Sequence, residues 1–314
     1  MIPCLLTDMT VGLAFDSFLR SRRLRGLSNN TIDSYRLLTS SFISYIGSGT
    51  QMEDIVQWQL DGFLDFLYSQ SLSVATVGSY IRNARIFLSW YSDHNQVQYS
   101  VSSLCVPKTP KKVVYLYSAA DIALIFEKAV NKVPWLTVRN QSMISLMLDS
   151  GIRQGEVCNL TIDDLFFNEH RIKVLGKGSK ERYVPLGNFS ADLLHTYLDM
   201  RPFDSLCLFV NNRGNPLTCN AVKMLTSDMQ KNLPFEFSSH KLRHNFATNF
   251  LINQYEQFGQ MDIYQLMSIM GHEDLVTTRR YLHEANNIIA SRHCISHLDS
   301  IFGQKKRSFS SSFE

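Results

Sequence analysis

Several features that define large classes of proteins are missing from this sequence. The chain has no uninterrupted apolar stretch of about 18 residues, so we expect no membrane-spanning helix. Its six cysteines are widely spread and form no CxxC pair, which argues against a disulfide framework and against a cysteine zinc site. The first residues lack a basic segment followed by a long apolar one, so we expect no signal peptide and a cytoplasmic location.

Common catalytic and nucleotide-binding motifs are missing as well. The glycines near 176–178 do not follow the GxxxxGK[ST] order of a P-loop, and neither GxSxG nor HExxH occurs. His240 and His244 are four residues apart on a predicted helix, but no third ligand stands at a sensible spacing. We therefore expect no metal site and no cofactor.

The composition that remains is that of an ordinary globular protein. Hydrophobic residues make up 45% and charged residues 19% of the chain, which excludes a disordered or collagen-like protein. The formal net charge of +3 permits a nucleic-acid partner without requiring one. A length of 314 residues predicts two domains, at roughly 150 residues per domain.

Helical periodicity dominates the first hundred residues. Apolar residues recur in steps of three and four after Thr31, after Ile55 and after Val77, which predicts three amphipathic helices. Two similar segments, LSNNTIDSY at 27–35 and LSVATVGSY at 72–80, are either capped helix starts or helix N-termini aimed at phosphates. Four arginines near 20–25 form either a solvated helix face or a contact with a polyanion.

A linker separates this region from the rest of the chain. Residues 101–113 hold two prolines and three lysines and no helical period. We place a first, helical domain at 1–103, the linker at 104–113 and a second domain at 114–314. Ser118 and Asp121 predict a capped helix start after the linker, and strand patterns at 171–175 and 181–185 predict a β-hairpin with a glycine-rich tip.

Scattered cationic, imidazole and phenolic residues are the candidates for chemistry. His240 and Arg243 are three residues apart, so they share one face of a predicted helix. His272 follows Gly271, which is a candidate helix C-cap. The full candidate set is Arg153, Lys177, His240, Arg243, His272 and Tyr281.

In this order, these residues resemble the tyrosine recombinase family, also called phage integrases, and especially its Xer-like branch. SGIRQGEVCNL (150–160) is similar to the family's first arginine box, and VLGKGSKERYVPLG (174–187) to its lysine hairpin. HKLRHNFATNFL (240–251) is similar to the HxxR box, and IMGHEDLVTTRRYLH (269–283) to the His–Tyr box. The resemblance implies a mainly α fold, with a helical, DNA-binding core-binding (SAM-like) domain at 1–103. At 114–314 it implies a mostly α catalytic domain that carries a small antiparallel β-sheet and a C-terminal tail.

The resemblance also implies a reaction. Tyr281 attacks a DNA phosphodiester and forms a 3′-phosphotyrosyl ester, which stores the bond energy so that rejoining needs no ATP. Arg153 and Arg243 suit the phosphate, because a guanidinium donates two parallel hydrogen bonds, and together they replace a metal ion. Lys177 delivers a proton to the leaving 5′ oxygen, although Lys180 is a second hairpin lysine. His240 is the expected base, His272 a hydrogen-bond donor to the phosphate and Glu156 an orienting residue.

The expected partner is double-stranded DNA with specific recombination sites, bound by a homotetramer or by a heterotetramer with a paralogue. Residues 285–314 have an apolar face that packs either into a neighbouring protomer or onto its own domain, and the last residues look disordered. Two other functions stay open: a type IB topoisomerase-like nicking-closing enzyme, which would use the same residues on one strand at a time, and a catalytically silent DNA-binding protein. Relaxation without recombination would indicate the first, and the complete residue set argues against the second.

Overall fold

The computed structural model describes residues 9–109, 115–176, 178, 180–292 and 298. The chain divides into two units, Met1–Lys112 and Val113–Glu314, at a point inside the predicted linker. The assignment of these units as DNA-binding and catalytic domains stays a prediction. Within the described ranges, no helix is long and apolar enough to cross a membrane.

Four α-helices make up the described part of the first unit: α1 (Val11–Leu24), α2 (Asn29–Ile46), α3 (Gln57–Ser69) and α4 (Val74–Ser92). The serine-led starts are confirmed as capped, because the Ser28 and Ser73 hydroxyls accept from the backbone N–H groups of Thr31 and Thr76. The arginine cluster lies at the end of α1.

The core of the first unit is aromatic. Phe18 is fully buried and lies at 5.3 to 5.9 Å from the rings of Phe15, Tyr35, Phe87 and Trp90. Burying a side chain of this size contributes about 1.5–3 kcal/mol. The 3.6-residue spacing of the apolar positions therefore places α1, α2 and α4 around one core.

The second unit is mainly helical with one small sheet, which confirms the predicted fold class. Its described elements are α5 (Ala119–Lys128), α6 (Pro134–Ser150), α7 (Gln154–Asn159), β1 (Leu165–Phe166), β2 (Arg171–Leu175), β3 (Glu181–Pro185), α8 (Asn188–Met200), α9 (Cys219–Gln230), α10 (Ser239–Phe258), α11 (Ile263–Met270) and α12 (Leu275–Arg292).

The predicted hairpin is confirmed at both strands. β2 and β3 pair antiparallel from Arg171 opposite Pro185 to Leu175 opposite Glu181, and β1 joins the other edge of β2. The sequence analysis missed β1, because two residues carry no alternating pattern. Lys177 lies outside the described residues, and so does the tail beyond Arg292 except Leu298, so the proposals for that tail stay predictions.

Two apolar clusters hold the described part of the second unit together. The larger one joins α5 to α9 with the sheet, and the smaller one lies between α10, α11 and α12. Phe246, Leu266, Met270 and Tyr281 belong to the smaller cluster. The C-terminal ends of α6 and α11 meet the first two turns of α10 and of α12 at one place.

Candidate active site

Arg243 is buried where two helices end. Its Nη2 donates to the Met270 carbonyl at 2.7 Å, and its Nη1 donates to the Gly151 carbonyl. α6 and α11 stop at these points because Gly151 and Gly271 adopt left-handed backbone conformations, with φ of 62° and 60°. Helix ends leave carbonyls unpaired and carry partial negative charge, so a guanidinium satisfies them. Burial, then the charge of Arg153, lowers the pKa of Arg243 to about 10, and the group is still charged at neutral pH.

Arg153 reaches the same place from another element. It is the N-cap residue of α7, its Nη1 donates to Glu156 Oε1 at 2.9 Å, and its Nη2 donates to the Gly271 carbonyl at 3.1 Å. Its side chain is 39% exposed. The two predicted arginines therefore bind consecutive carbonyls, Met270 and Gly271, and Arg153 keeps an open face.

Glu156 binds both Arg153 and Arg182. Its Oε2 accepts from the Arg153 backbone N–H at 2.7 Å, and its two oxygens accept from Arg182 Nη1 and Nη2 at 2.9 and 2.8 Å. Burial by itself raises the pKa of Glu156, but the hydrogen bonds from Arg182 and from the Arg153 N–H outweigh it and hold the pKa below its ordinary value. The carboxylate is thus ionised and orients two guanidinium groups.

Arg182 is a site residue that the sequence analysis missed. Its side chain is 12% exposed, and its Nε donates to the Ile269 carbonyl at 2.7 Å. The strand pattern could have identified it. Arg182 is two residues before the buried Val184 on β3, so its side chain points to the same, core-facing side of the strand. A charged residue at a core-facing strand position needs a buried partner, which here is Glu156.

His272 lies directly beside Arg243. Its Nε2 is 3.1 Å from Arg243 Nη2, and its Nδ1 is 2.9 Å from Thr278 Oγ1. A guanidinium only donates, so Nε2 accepts and the ring proton is on Nδ1. Burial first, and then the charges of Arg243 and Arg153, lower the pKa of His272 to about 4, so the ring is neutral at pH 7.

Tyr281 lies on α12 with its ring only 3% exposed. The ring is nearly parallel to that of His272, with 6.1 Å between centroids and 12° between planes. The ring of His244 is 5.1 Å away, and that of His240 lies 5.9 Å beyond His244. Burial and then Arg243 lower the pKa of His240. Of the sequence-predicted residues, the structure thus brings Arg153, Arg243, His272 and Tyr281 together, and it adds His244, which the sequence analysis weighed only as a metal ligand.

A cavity of about 640 Å³ opens beside these groups. Arg153, Arg182, Lys180 and His272 line it together with the glycines 176 and 271. Lys180 is exposed, and its Nζ is 3.3 Å from Glu273 Oε1. Glu181, Glu273 and Asp274 line it as well, so three carboxylates stand beside the three cations. The partly exposed Arg153 side chain is therefore the part of the cavity that suits a backbone phosphate. The part of the chain described by the structure contains no group of three metal-ligating side chains.

Known proteins resemble this chain over most of its length. A profile described as the phage integrase family matches residues 119–287. The tyrosine recombinase XerC of Staphylococcus epidermidis is 30% identical over 87% of this chain and 93% of its own length. The tyrosine recombinase XerD of Oceanobacillus iheyensis is 31% identical over 86% and 93%.

Solved structures share the fold. The XerH site-specific recombinase, in a post-cleavage complex with a palindromic difH substrate, has a TM-score of 0.67 and 24% identity over 86% of this chain and 81% of that one. A lambda integrase fragment, solved as a dimer on a COC′ core site, has a TM-score of 0.69 and 17% identity over 87% and 95%. The chain belongs to the phage integrase family and is a tyrosine site-specific DNA recombinase of its Xer branch.

Proposed function

We propose that the chain cuts and rejoins DNA through a 3′-phosphotyrosyl ester on Tyr281. One observation carries this proposal: Arg153 and Arg243 bind the consecutive carbonyls of Gly271 and Met270, beside the stacked rings of His272 and Tyr281. Two guanidiniums next to a phenol suit a phosphoryl group that gains charge in its transition state. The ester conserves the energy of the broken bond, so rejoining needs no ATP.

Each proposed role follows from the chemistry of the side chain. Arg153 and Arg243 donate to the two non-bridging oxygens of the scissile phosphate, with the open face of Arg153 as the entry point. Lys177 gives a proton to the leaving 5′ oxygen, and His240 takes the proton of the phenol. His272 donates to the phosphate from Nε2. For this, the phosphate must replace His272 Nε2 as the acceptor of Arg243 Nη2, and the ring proton of His272 must move from Nδ1 to Nε2.

The proposed substrate is double-stranded DNA with specific recombination sites, and the proposed assembly is a homotetramer or a heterotetramer with a paralogue. Support comes from the relatives, since one solved neighbour is a recombinase on a difH substrate and another is a dimer on a core site. Recombination of two duplexes also needs four strand cleavages, which four copies of one nucleophile supply.

Tyr281→Phe tests the nucleophile. On a nicked DNA substrate, the short leaving strand diffuses away after cleavage and the covalent adduct accumulates. We expect Y281F to form no adduct while it retains DNA affinity, because only the hydroxyl is lost. Tyr264→Phe is the matched control, since Tyr264 is an exposed residue of α11, and it should behave as wild type. An adduct with Y281F would overturn the assignment.

A further inference from the structure

Arg280, which directly precedes Tyr281, lies between the phenol and an imidazole. Its Nη2 is 3.0 Å from His244 Nε2 and 3.5 Å from the Tyr281 hydroxyl. Its Cζ lies over the Tyr281 ring, 5.3 Å from the centroid. One NH₂ group therefore touches both the side chain that holds it and the atom proposed to attack phosphorus.

His244 acts as an acceptor in this contact. A guanidinium has no acceptor, so the lone pair of His244 Nε2 must face Arg280, and the ring proton is on Nδ1. Burial first, and then the charge of Arg280, lower the pKa of His244 to about 4. The neutral ring can consequently hold Arg280 throughout the physiological pH range. Its Nδ1 is buried with no hydrogen-bond partner among the described residues, so this ring orientation is not maintained by a second hydrogen bond.

Other charged groups face Tyr281 from three elements. α10 contributes Arg243 together with the two imidazoles of His240 and His244, and His272 approaches from the turn after α11. α12 itself contributes Arg280 and, one turn later, Glu284. Burial raises the pKa of Glu284, while Arg280 acts in the opposite direction. The surroundings of the phenol are cationic on balance.

We propose that Arg280 is a positioning residue for DNA cleavage: held by His244, its guanidinium stabilises the negative charge that develops on the Tyr281 oxygen during attack. This inference rests on the proposed role of Tyr281. In the step, the phenol oxygen bonds to phosphorus, the bond from phosphorus to the 5′ oxygen breaks, the phenol proton passes to a base, and an acid protonates the 5′ oxygen. Arg280 keeps its own protons and supplies charge and orientation only.

Arg280→Ala is compared with Arg279→Ala, which removes the same charge from the neighbouring exposed position. Single-turnover cleavage of the nicked substrate is measured at saturating protein, with DNA affinity measured separately. Removing a well-placed donor to a developing oxyanion costs on the order of 10²–10³ in rate. Because Nη2 is 3.5 Å from the hydroxyl, we expect a smaller fall, about tenfold, for R280A. R279A should cleave at the wild-type rate, and Arg280→Lys should restore part of the loss.

One further readout separates this role from a structural one. A substrate with sulfur in place of the 5′ bridging oxygen has a leaving group that needs little proton donation. That substrate should leave the R280A defect in place, since the defect concerns the nucleophile and not the leaving group.

Several results would overturn the inference. They are a wild-type cleavage rate for R280A at saturation, or full rescue by the sulfur substrate. An equal loss of affinity in R280A and R279A with unchanged cleavage would make Arg280 a contact to the DNA backbone instead. An adduct formed by Y281F would refute the proposed function itself, so the two failures are distinguishable.

Discussion

Replacing Glu156 by glutamine keeps the shape of the side chain but removes the negative charge between Arg153 and Arg182. The carboxylate is 7% exposed and accepts four hydrogen bonds of 2.7 to 2.9 Å, two of them from Arg182. In E156Q, the amide oxygen still accepts, but the amide NH₂ faces one donor of Arg153 and one of Arg182, so each arginine loses one of its two hydrogen bonds to this side chain. Arg182, which is 12% exposed, is left without a counter-ion.

The size of the effect follows from burial. Removing one partner of a buried ion pair costs about 3–5 kcal/mol. Arg153 adds little to this figure, because its side chain is 39% exposed and solvent screens the pair. We therefore expect E156Q to lower the free energy of unfolding by about 3–5 kcal/mol and also to slow DNA cleavage, since Arg153 loses its tether.

Urea denaturation measures the first effect, and adduct formation measures the second. Glu127→Gln is the matched control: Glu127 is 66% exposed and pairs with Lys128 on the surface, so its loss should cost at most about 1 kcal/mol. Adding Arg182→Met to E156Q should recover stability, because no unpaired buried charge remains. Equal unfolding midpoints for E156Q and E127Q would refute the reasoning, and so would a double variant that is less stable than E156Q alone.

Two other predictions concern stability. Gly151→Ala should destabilise by about 2–4 kcal/mol in urea denaturation, from left-handed strain and overpacking together, because φ is 62° and an added Cβ would lie 2.2 Å from Phe246 Cδ1; wild-type stability would contradict this. The melting temperature of the DNA-free protein should fall as pH drops from 6.5 towards 4, because His244 and His272 have pKa values of about 4 in the fold against an ordinary 6.5. In that window the unfolded chain binds more protons, so stability decreases with falling pH. His272→Gln should flatten the dependence, and a slope unchanged from wild type would count against the buried neutral ring.

Sequence patterns that span only a few residues predicted several helix starts and two of the strands. Serine caps and apolar spacing predicted the starts of α2, α4 and α5, and β-branched alternation predicted β2 and β3, because these signals act within a few residues. The two-residue strand β1 was missed, because two residues are too few for an alternating pattern to show.

By itself, the sequence determined which helices form and which cations, imidazoles and phenol are available for chemistry, since each of these depends on residue type and short spacing. Only the tertiary structure decided how they meet. Arg153 donates to a carbonyl 118 positions away, Arg182 on β3 donates to Glu156 on α7, and His244 on α10 accepts from Arg280 on α12. The partners in the first case are backbone carbonyls freed at helix ends, which any residue could supply, so no side-chain pattern along the chain identifies them before the helices have packed.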